Sequence, residues 1–587
     1  MAMAAISLAL CAITVSACLL SSASSSSFCT ANTQDHVRTA YHFQPAKNWQ
    51  NGKYVLILMS INLVIDFGEP SLTVTVLERL IWMEIRGHDE NLQIRMVRPV
   101  YYNGMYHFFY QYNPHGALWD VGNLSWGHSV SGDLVNWAAL DNALDPTAPF
   151  DANGCASGSI TILPGGVPVI LYSGIDADRR QVQNVAFPKN PGDPLLREWS
   201  KPSYNPVVPL PADVSADNFR DPTTAWLGRD GLWRFAISAV ADGVGTTLVF
   251  RSADFLRWER NAAPLHASRG AAMAECPDLF PVAERGTEGL DMSSAAASVA
   301  GVKHVLKVSM PADTLEDFYA VGRYDDATDT FTPEEAAGDY RSWRRIDHGH
   351  LYASKTFFDA RRNRRVLWAW VNESDSEADD VARGWSGLQS FPRALWLDAG
   401  GRQLVQWPVE EIETLRRRRA VLLGAEVESG GLREIGGIVT SQADVDVVFE
   451  IARARRVFRL LHEHVVLMCT DLTRSSTKAG VYKPTHGGFV NVDIVKDKNI
   501  SLRTLIDHSI VESFGGGGRT CMTARVYPEH VATSSTHLYV FNNGSDAVKL
   551  PKLVAWELAT ASVNVAGRND GLVAPGMDNM MCQSEAY

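Results

Sequence analysis

An Asp and a Trp recur together three times at intervals of roughly sixty residues, and this period constrains the fold more than any other feature. The three copies are Asp133-Leu-Val-Asn-Trp137, Asp193 to Trp199 and Asp254-Phe-Leu-Arg-Trp258. Such a period fits one four-stranded unit with its loops, and units of that kind stack side by side into a propeller. The runs between the copies read as short strands: Tyr106-His-Phe-Phe-Tyr-Gln-Tyr112, Val167-Pro-Val-Ile-Leu-Tyr172, Leu232-Trp-Arg-Phe-Ala-Ile237 and, further on, Val366-Leu-Trp-Ala-Trp370. They are rich in β-branched and aromatic residues, and 45 Gly and 27 Pro supply the turns, so the reading is all-β. A chain of 587 residues exceeds what one core serves, so two domains are expected.

The pattern changes after Trp407-Pro408. Glu410 to Arg419 reads as a short charged helix or linker whose Arg416–Arg419 run is a solvated face, and strands return from Ile438 to about Ala559. There Asp507, His508 and Ser509 stand in a row like a hydrolase triad. Neighbours on one strand point to opposite faces, so these three cannot form a relay locally. Met1 to about Ser27 is an apolar run ending in small residues and reads as a secretory signal peptide. Four sequons, at Asn123, Asn372, Asn499 and Asn543, are compatible with export. The eight Cys show no metal-ligand spacing, and a net charge of −12 argues against nucleic acid.

Two carboxyls stand out by their surroundings. Glu275 lies in Ala271-Ala-Met-Ala-Glu-Cys-Pro-Asp-Leu-Phe-Pro-Val282 with no Lys or Arg within four positions. A desolvated carboxyl there keeps its proton to higher pH, as a general acid must. Asp221 lies in Phe219-Arg-Asp-Pro-Thr-Thr224, beside a fixed cation and before a Pro, and should stay ionised. Two carboxyls with opposite protonation preferences suit glycoside cleavage.

Arg220-Asp221-Pro222 and Glu275-Cys276-Pro277-Asp278 resemble two of the three signature motifs of glycoside hydrolase family 32, and more narrowly its plant cell-wall invertases and fructan exohydrolases. The resemblance runs from His42-Phe43-Gln44-Pro45 to Trp556. It implies a five-bladed β-propeller over 42–405 followed by a C-terminal β-sandwich over 420–570. It also implies retaining release of terminal β-D-fructofuranosyl units from sucrose or fructans without metal or cofactor, in a secreted protein of the cell wall, with a proteinaceous inhibitor as a further partner. By the same resemblance Glu275 is the acid/base, Asp221 grips the fructose hydroxyls, and Arg220 holds Asp221 ionised and helps orient Glu275. Gln111, Trp119, Asn51, Ser157 and Gly158 match sugar-holding positions.

This chain departs from the pattern in several places. The family's nucleophile is the Asp of an Asn-Asp-Pro-Asn-Gly motif; here Asn48-Trp49-Gln50-Asn51 arrives on schedule, Gly52 through Arg98 follows, and the pattern resumes at Pro99. The stretch reads as translated intron with the small exon for that motif skipped, and its apolar run Tyr54 to Phe67, interrupted by Asn62 and Asp66, is too short to cross a bilayer. Ala156 and Ala274 stand where relatives carry a pocket Trp. Ala312 and Leu315 replace an Asp and a Lys of invertases, which leans towards fructan exohydrolase. The text is shortened near 453–457, where relatives carry a Cys that would pair with Cys469, so a thinned sheet without that disulfide is expected. Three readings stand: a β-fructofuranosidase impaired by loss of its nucleophile, a fructan exohydrolase, and an inactive secreted sugar-binding homologue.

Overall fold

The computed structural model describes residues 37–50, 98–119, 124–269, 273–292, 300–310, 315–335, 339–451, 458–460, 463–492, 497–528 and 536–564. The signal-peptide, inserted-stretch and shortening expectations therefore lie outside the described residues, as do Asn51, Asn123, Ala312 and the 453–457 junction.

Five antiparallel sheets follow one another along the chain. Blade I comprises Asn48–Gln50, Met105–Asn113, Ser125–Ser131 and Ala138–Leu144, and blade II comprises Cys155–Leu163, Val167–Ile175, Gln181–Pro188 and Trp199–Ser200. Blade III is built on Val214–Arg220, Trp233–Ala241, Val244–Ser252 and Glu259–Arg260. Blade IV is built on Glu275–Ala283, Val302–Met310, Glu316–Asp325 and Thr330–Pro333, and blade V on Leu351–Asp359, Arg364–Val371, Arg393–Leu397 and Leu404–Pro408. The ring closes where Trp385–Ser386, arriving from blade V, pairs in parallel with Asn48–Trp49 of blade I. Sheets stacked on both sides bury both strand faces, which is why Ser125–Ser131 is buried at every position despite its polar text.

The repeat read from the sequence is one turn made three times. It joins the third and fourth strands of blades I, II and III. In each copy the Asp carboxylate accepts backbone N–H bonds from residues just ahead: Val135 and Asn136, Leu195 and Arg197, Leu256 and Arg257. Within each turn one residue, Leu134, Leu196 or Phe255, takes a left-handed φ, of 63°, 45° and 63° respectively. The Trp indole then donates to that residue's carbonyl, at 3.2, 2.9 and 3.3 Å.

Blade I differs from the others in its inner strand. Trp49 and Gln50 pair with Asn113 and Tyr112, and Arg98–Tyr102 pairs with Phe109 through Met105. In the chain, residues 51–97 separate these two pieces.

The second domain is a six-stranded sheet, in the order Arg416–Val427, Val548–Leu558, Gln442–Glu450, Asn499–Asp507, Ile510–Gly515 and Thr520–Arg525. A three-stranded sheet, Phe458–Leu460, Glu463–Asp471 and Thr485–Val492, packs beside its last strand, where Thr520 donates to the Phe489 carbonyl at 2.7 Å. Cys469 is a free thiol. The helix-or-linker reading of 410–419 is corrected: Glu410–Leu415 is a 3-10 turn, and the Arg run opens the edge strand of the large sheet. Arg417, Arg418 and Arg419 are exposed, but Arg416 pairs with Asp444 at 2.8 Å and stacks on Trp556.

One cluster joins the domains, with Tyr41, Phe43, Phe108, Trp137, Trp368 and Phe391 meeting Leu505, Phe514 and Leu558. Within it the Asp507 carboxylate accepts from the backbone of Ala40, Tyr41 and His42, and the His42 ring bridges Asp507 at 2.8 Å and Glu512 at 2.9 Å. His508 meets Gln442 and Ser509 donates to the Val37 carbonyl, so these three residues serve structure and form no triad.

Candidate functional site

The inner strands of blades III, IV and V each break register or end at one level. Pairing shifts between Glu275 and Asp278 in blade IV and between Tyr352 and Lys355 in blade V, and the blade III strand stops at Arg220. At these points Asp221, Cys276 and Ala353 have φ of +71°, +57° and +56°. Left-handed backbone at non-Gly residues costs about 1–3 kcal/mol each and persists only where surrounding contacts fix it. Bulges of this kind re-aim side chains, and here they bring Arg220, Asp221, Glu275 and Tyr352 together.

Glu275 is fully buried. Arg220 donates to its Oε1 through Nε at 3.1 Å and Nη2 at 2.5 Å, and the Tyr352 hydroxyl donates to Oε2 at 2.9 Å. Burial pushes its pKa up to about 7, with Asp221 adding to the rise, while Arg220 and the Tyr352 hydrogen bond oppose it. The cation beside Glu275 comes from another blade and not from its own stretch of chain. Arg220 lies 4.0 Å from Asp221, so its closer partner is the acid.

Asp221 accepts from the Cys276 backbone N–H at 3.0 Å, and its own N–H donates to Ser173 at 3.2 Å. Its Oδ1 is buried with no hydrogen-bond partner among the described residues. Among the described residues no third carboxylate joins the ion pairs of Arg220. Behind this group, Lys307 holds Asp317 at 3.1 Å, and Asp317 accepts from Ala353 N at 3.0 Å and Ser354 N at 2.6 Å, fixing the strained turn that carries Tyr352. Asp278, the last residue of the Glu-Cys-Pro-Asp motif, accepts from Thr356 N and Oγ1 at 2.7 and 2.9 Å and so clips blade IV to blade V.

The other expected residues line blades I and II. Gln111 donates to the Cys155 carbonyl at 3.1 Å, and its buried Oε1 has no partner among the described residues. Trp126 donates to the Ala156 carbonyl at 2.8 Å, holding the segment that carries Ser157, which is itself buried. At Gly158 a Cβ would lie 2.2 Å from the Leu171 carbonyl, so its role is close packing. Trp119 is half-buried on a turn that Asn113 ties down through Leu118 O at 2.7 Å. Leu315 packs against Cys276, Tyr352, Ala353 and Trp370, while Ala156 and Ala274 are buried. Tyr352 was missed by the sequence reading, because nothing in its local text distinguishes it from other strand tyrosines. No group of three or more His, Cys, Asp or Glu among the described residues is arranged to hold a metal.

Residues 97–408 match the model for the glycosyl hydrolases family 32 N-terminal domain, and 411–557 match that for the family 32 C-terminal domain. The first match begins where the 52–98 stretch gives out. A rice (Oryza sativa subsp. japonica) β-fructofuranosidase, insoluble isoenzyme 6, is 68% identical over 98% of each chain. A fructan 6-exohydrolase of Triticum aestivum is 55% identical over 90% of this chain and 91% of its own. The crystal structure of fructan 1-exohydrolase IIa from Cichorium intybus superposes with a TM-score of 0.79 at 40% identity, covering 90% of this chain and 98% of that one. A variant of the chicory enzyme is solved in complex with 1-kestose.

Proposed function

The chain belongs to glycosyl hydrolase family 32, and from that premise we propose that its site is built to release terminal β-D-fructofuranosyl units from sucrose or fructans. The observation that carries the reading is Glu275, a buried carboxyl with pKa near 7 gripped by Arg220 and Tyr352, next to Asp221 with a free lone-pair oxygen. In a retaining mechanism Glu275 protonates the departing oxygen and later deprotonates water. Asp221 Oδ1 accepts a fructose hydroxyl and tightens that bond as positive charge develops. Gln111, Trp119 and Ser157 form the sugar wall, and the close packing at Gly158 holds that segment in place.

The chain as written lacks the group that would attack that carbon. The resemblance puts the nucleophile directly after Asn51, and the sequence breaks that motif there with Gly52 through Arg98. This break favours a second reading for the literal polypeptide, a sugar-binding homologue without turnover. Replacing 52–98 by Asp-Pro-Asn-Gly tests both. The literal chain is expected to turn over sucrose, inulin and levan at least about a thousandfold more slowly than the repaired one. Equal rates would overturn the assignment of the defect, and the preferred substrate of the repaired chain separates invertase from exohydrolase.

Export to the cell wall is part of the same proposal, supported by the exposed sequons Asn499 and Asn543 and by relatives named as insoluble isoenzymes. Asn372 is only half-exposed and its sequon continues into buried Glu373 and Ser374, so a glycan there is not expected. Peptide mapping after enzymatic deglycosylation in the native tissue checks this, and unmodified Asn499 and Asn543 would count against it.

A further inference from the structure

Among the described residues, two buried N–H donors without a hydrogen-bond partner, Trp370 Nε1 and Gln389 Nε2, lie side by side on blade V. Trp370 and Gln389 are 2% and 1% exposed, yet Trp370 Nε1 and Gln389 Nε2 have no hydrogen-bond partner among the described residues. They are not scattered. Tyr352 pairs across the sheet with Trp370, and Trp370 pairs with Gln389, so the three side chains lie in a row on one face of the blade. The row begins at the acid, because the Tyr352 hydroxyl donates to Glu275 and its ring meets the Trp370 ring edge-on at 6.3 Å. It ends at the seam where the ring closes, since the Gln389 backbone N–H donates to the Phe43 carbonyl at 3.0 Å. On the other side of the acid, Asp221 Oδ1 is an equally orphaned acceptor.

Buried donors left unmade are expensive, so each calls for a physical reason, and a ligand that completes them is one. We propose that Trp370 Nε1 and Gln389 Nε2 are binding donors for the hydroxyl oxygens of the same fructosyl substrate, extending the sugar site along blade V towards blade I. The inference rests on the fructosyl reading above. Two neutral N–H donors suit the oxygen of a polyol, and as donors they cannot ligate a metal ion.

The test is calorimetric titration with D-fructose, which needs no turnover, on the full chain and on Gln389→Leu and Trp370→Phe, together with thermal melts of each without sugar. The expected result is a Kd about tenfold weaker for either variant. Melting temperature should be unchanged or raised for Gln389→Leu, because deleting an unsatisfied donor relieves a cost. Unchanged Kd with a lowered melting temperature would mean that internal water completes these groups, and would overturn the proposal. Trp370→Phe carries the test alone if Gln389→Leu does not fold. Failure of the unsubstituted chain to bind fructose overturns the fructosyl reading itself, which distinguishes that failure from this one.

Discussion

At Glu275 the balance between burial and two donors sets the working pH. Burial and the neighbouring Asp221 hold the proton, while Arg220 and Tyr352 stabilise the carboxylate. Because Tyr352 lowers the pKa, Tyr352→Phe in the repaired chain moves the alkaline limb of the rate profile upwards, and loss of orientation slows turnover about tenfold. An unmoved limb would mean that the hydroxyl does not govern the acid. The raised value also carries a stability term. A carboxyl with folded pKa near 7 favours the native state most below its ordinary value near 4.5, and that contribution is lost as pH rises to about 7. Glu275→Gln should flatten this part of the stability curve, read by denaturant melts at about pH 5 and pH 8. Sequence alone found Glu275 and Asp221 from their neighbours. It assigned Arg220 mainly to Asp221, because adjacency in the chain is visible and a shift in strand register is not.

The elements repeat one plan, and its most legible mark is the Asp-to-Trp turn between the third and fourth strands of blades I to III. That turn is readable because all its partners lie within a few residues. The tight approach of the first two strands in blade II is not readable, since it depends on residues from facing strands. Gly158 shows this: an added Cβ would sit 2.2 Å from the Leu171 carbonyl and 2.6 Å from the Tyr172 Cα. Gly158→Ala should therefore destabilise the propeller by about 3 kcal/mol or more, since backbone on both sides resists displacement. A chemical-denaturation midpoint within error of the parent would refute this packing role.

For the molecule as a whole, His42 is the hinge pin between domains. Burial works to lower its pKa, but hydrogen bonds from its ring to Asp507 and Glu512 raise it. The two carboxylates are held below their usual range: burial opposes this, and His42, with Arg393 at Glu512, outweighs it. The His42 contribution is complete below about pH 6.5 and is lost as pH rises through its folded value; the carboxylates contribute above about pH 4.5 and lose it on acidification. His42→Ala should cost about 3–5 kcal/mol, because it leaves two buried carboxylates short of a partner. Calorimetric scans across this range, with loss of the alkaline dependence in the variant, check it. What the sequence determined by itself was everything local or periodic: the all-β character, the blade period, the two carboxyls, and the break where the third motif should stand. What only tertiary structure decided was partnership over distance. Arg220 reaches Glu275 across 55 positions, Tyr352 reaches it across 77, and His42 meets Asp507 across 465. Chain text fixes which residues can donate, accept or ionise, whereas stacked blades and their bulges fix which of them meet.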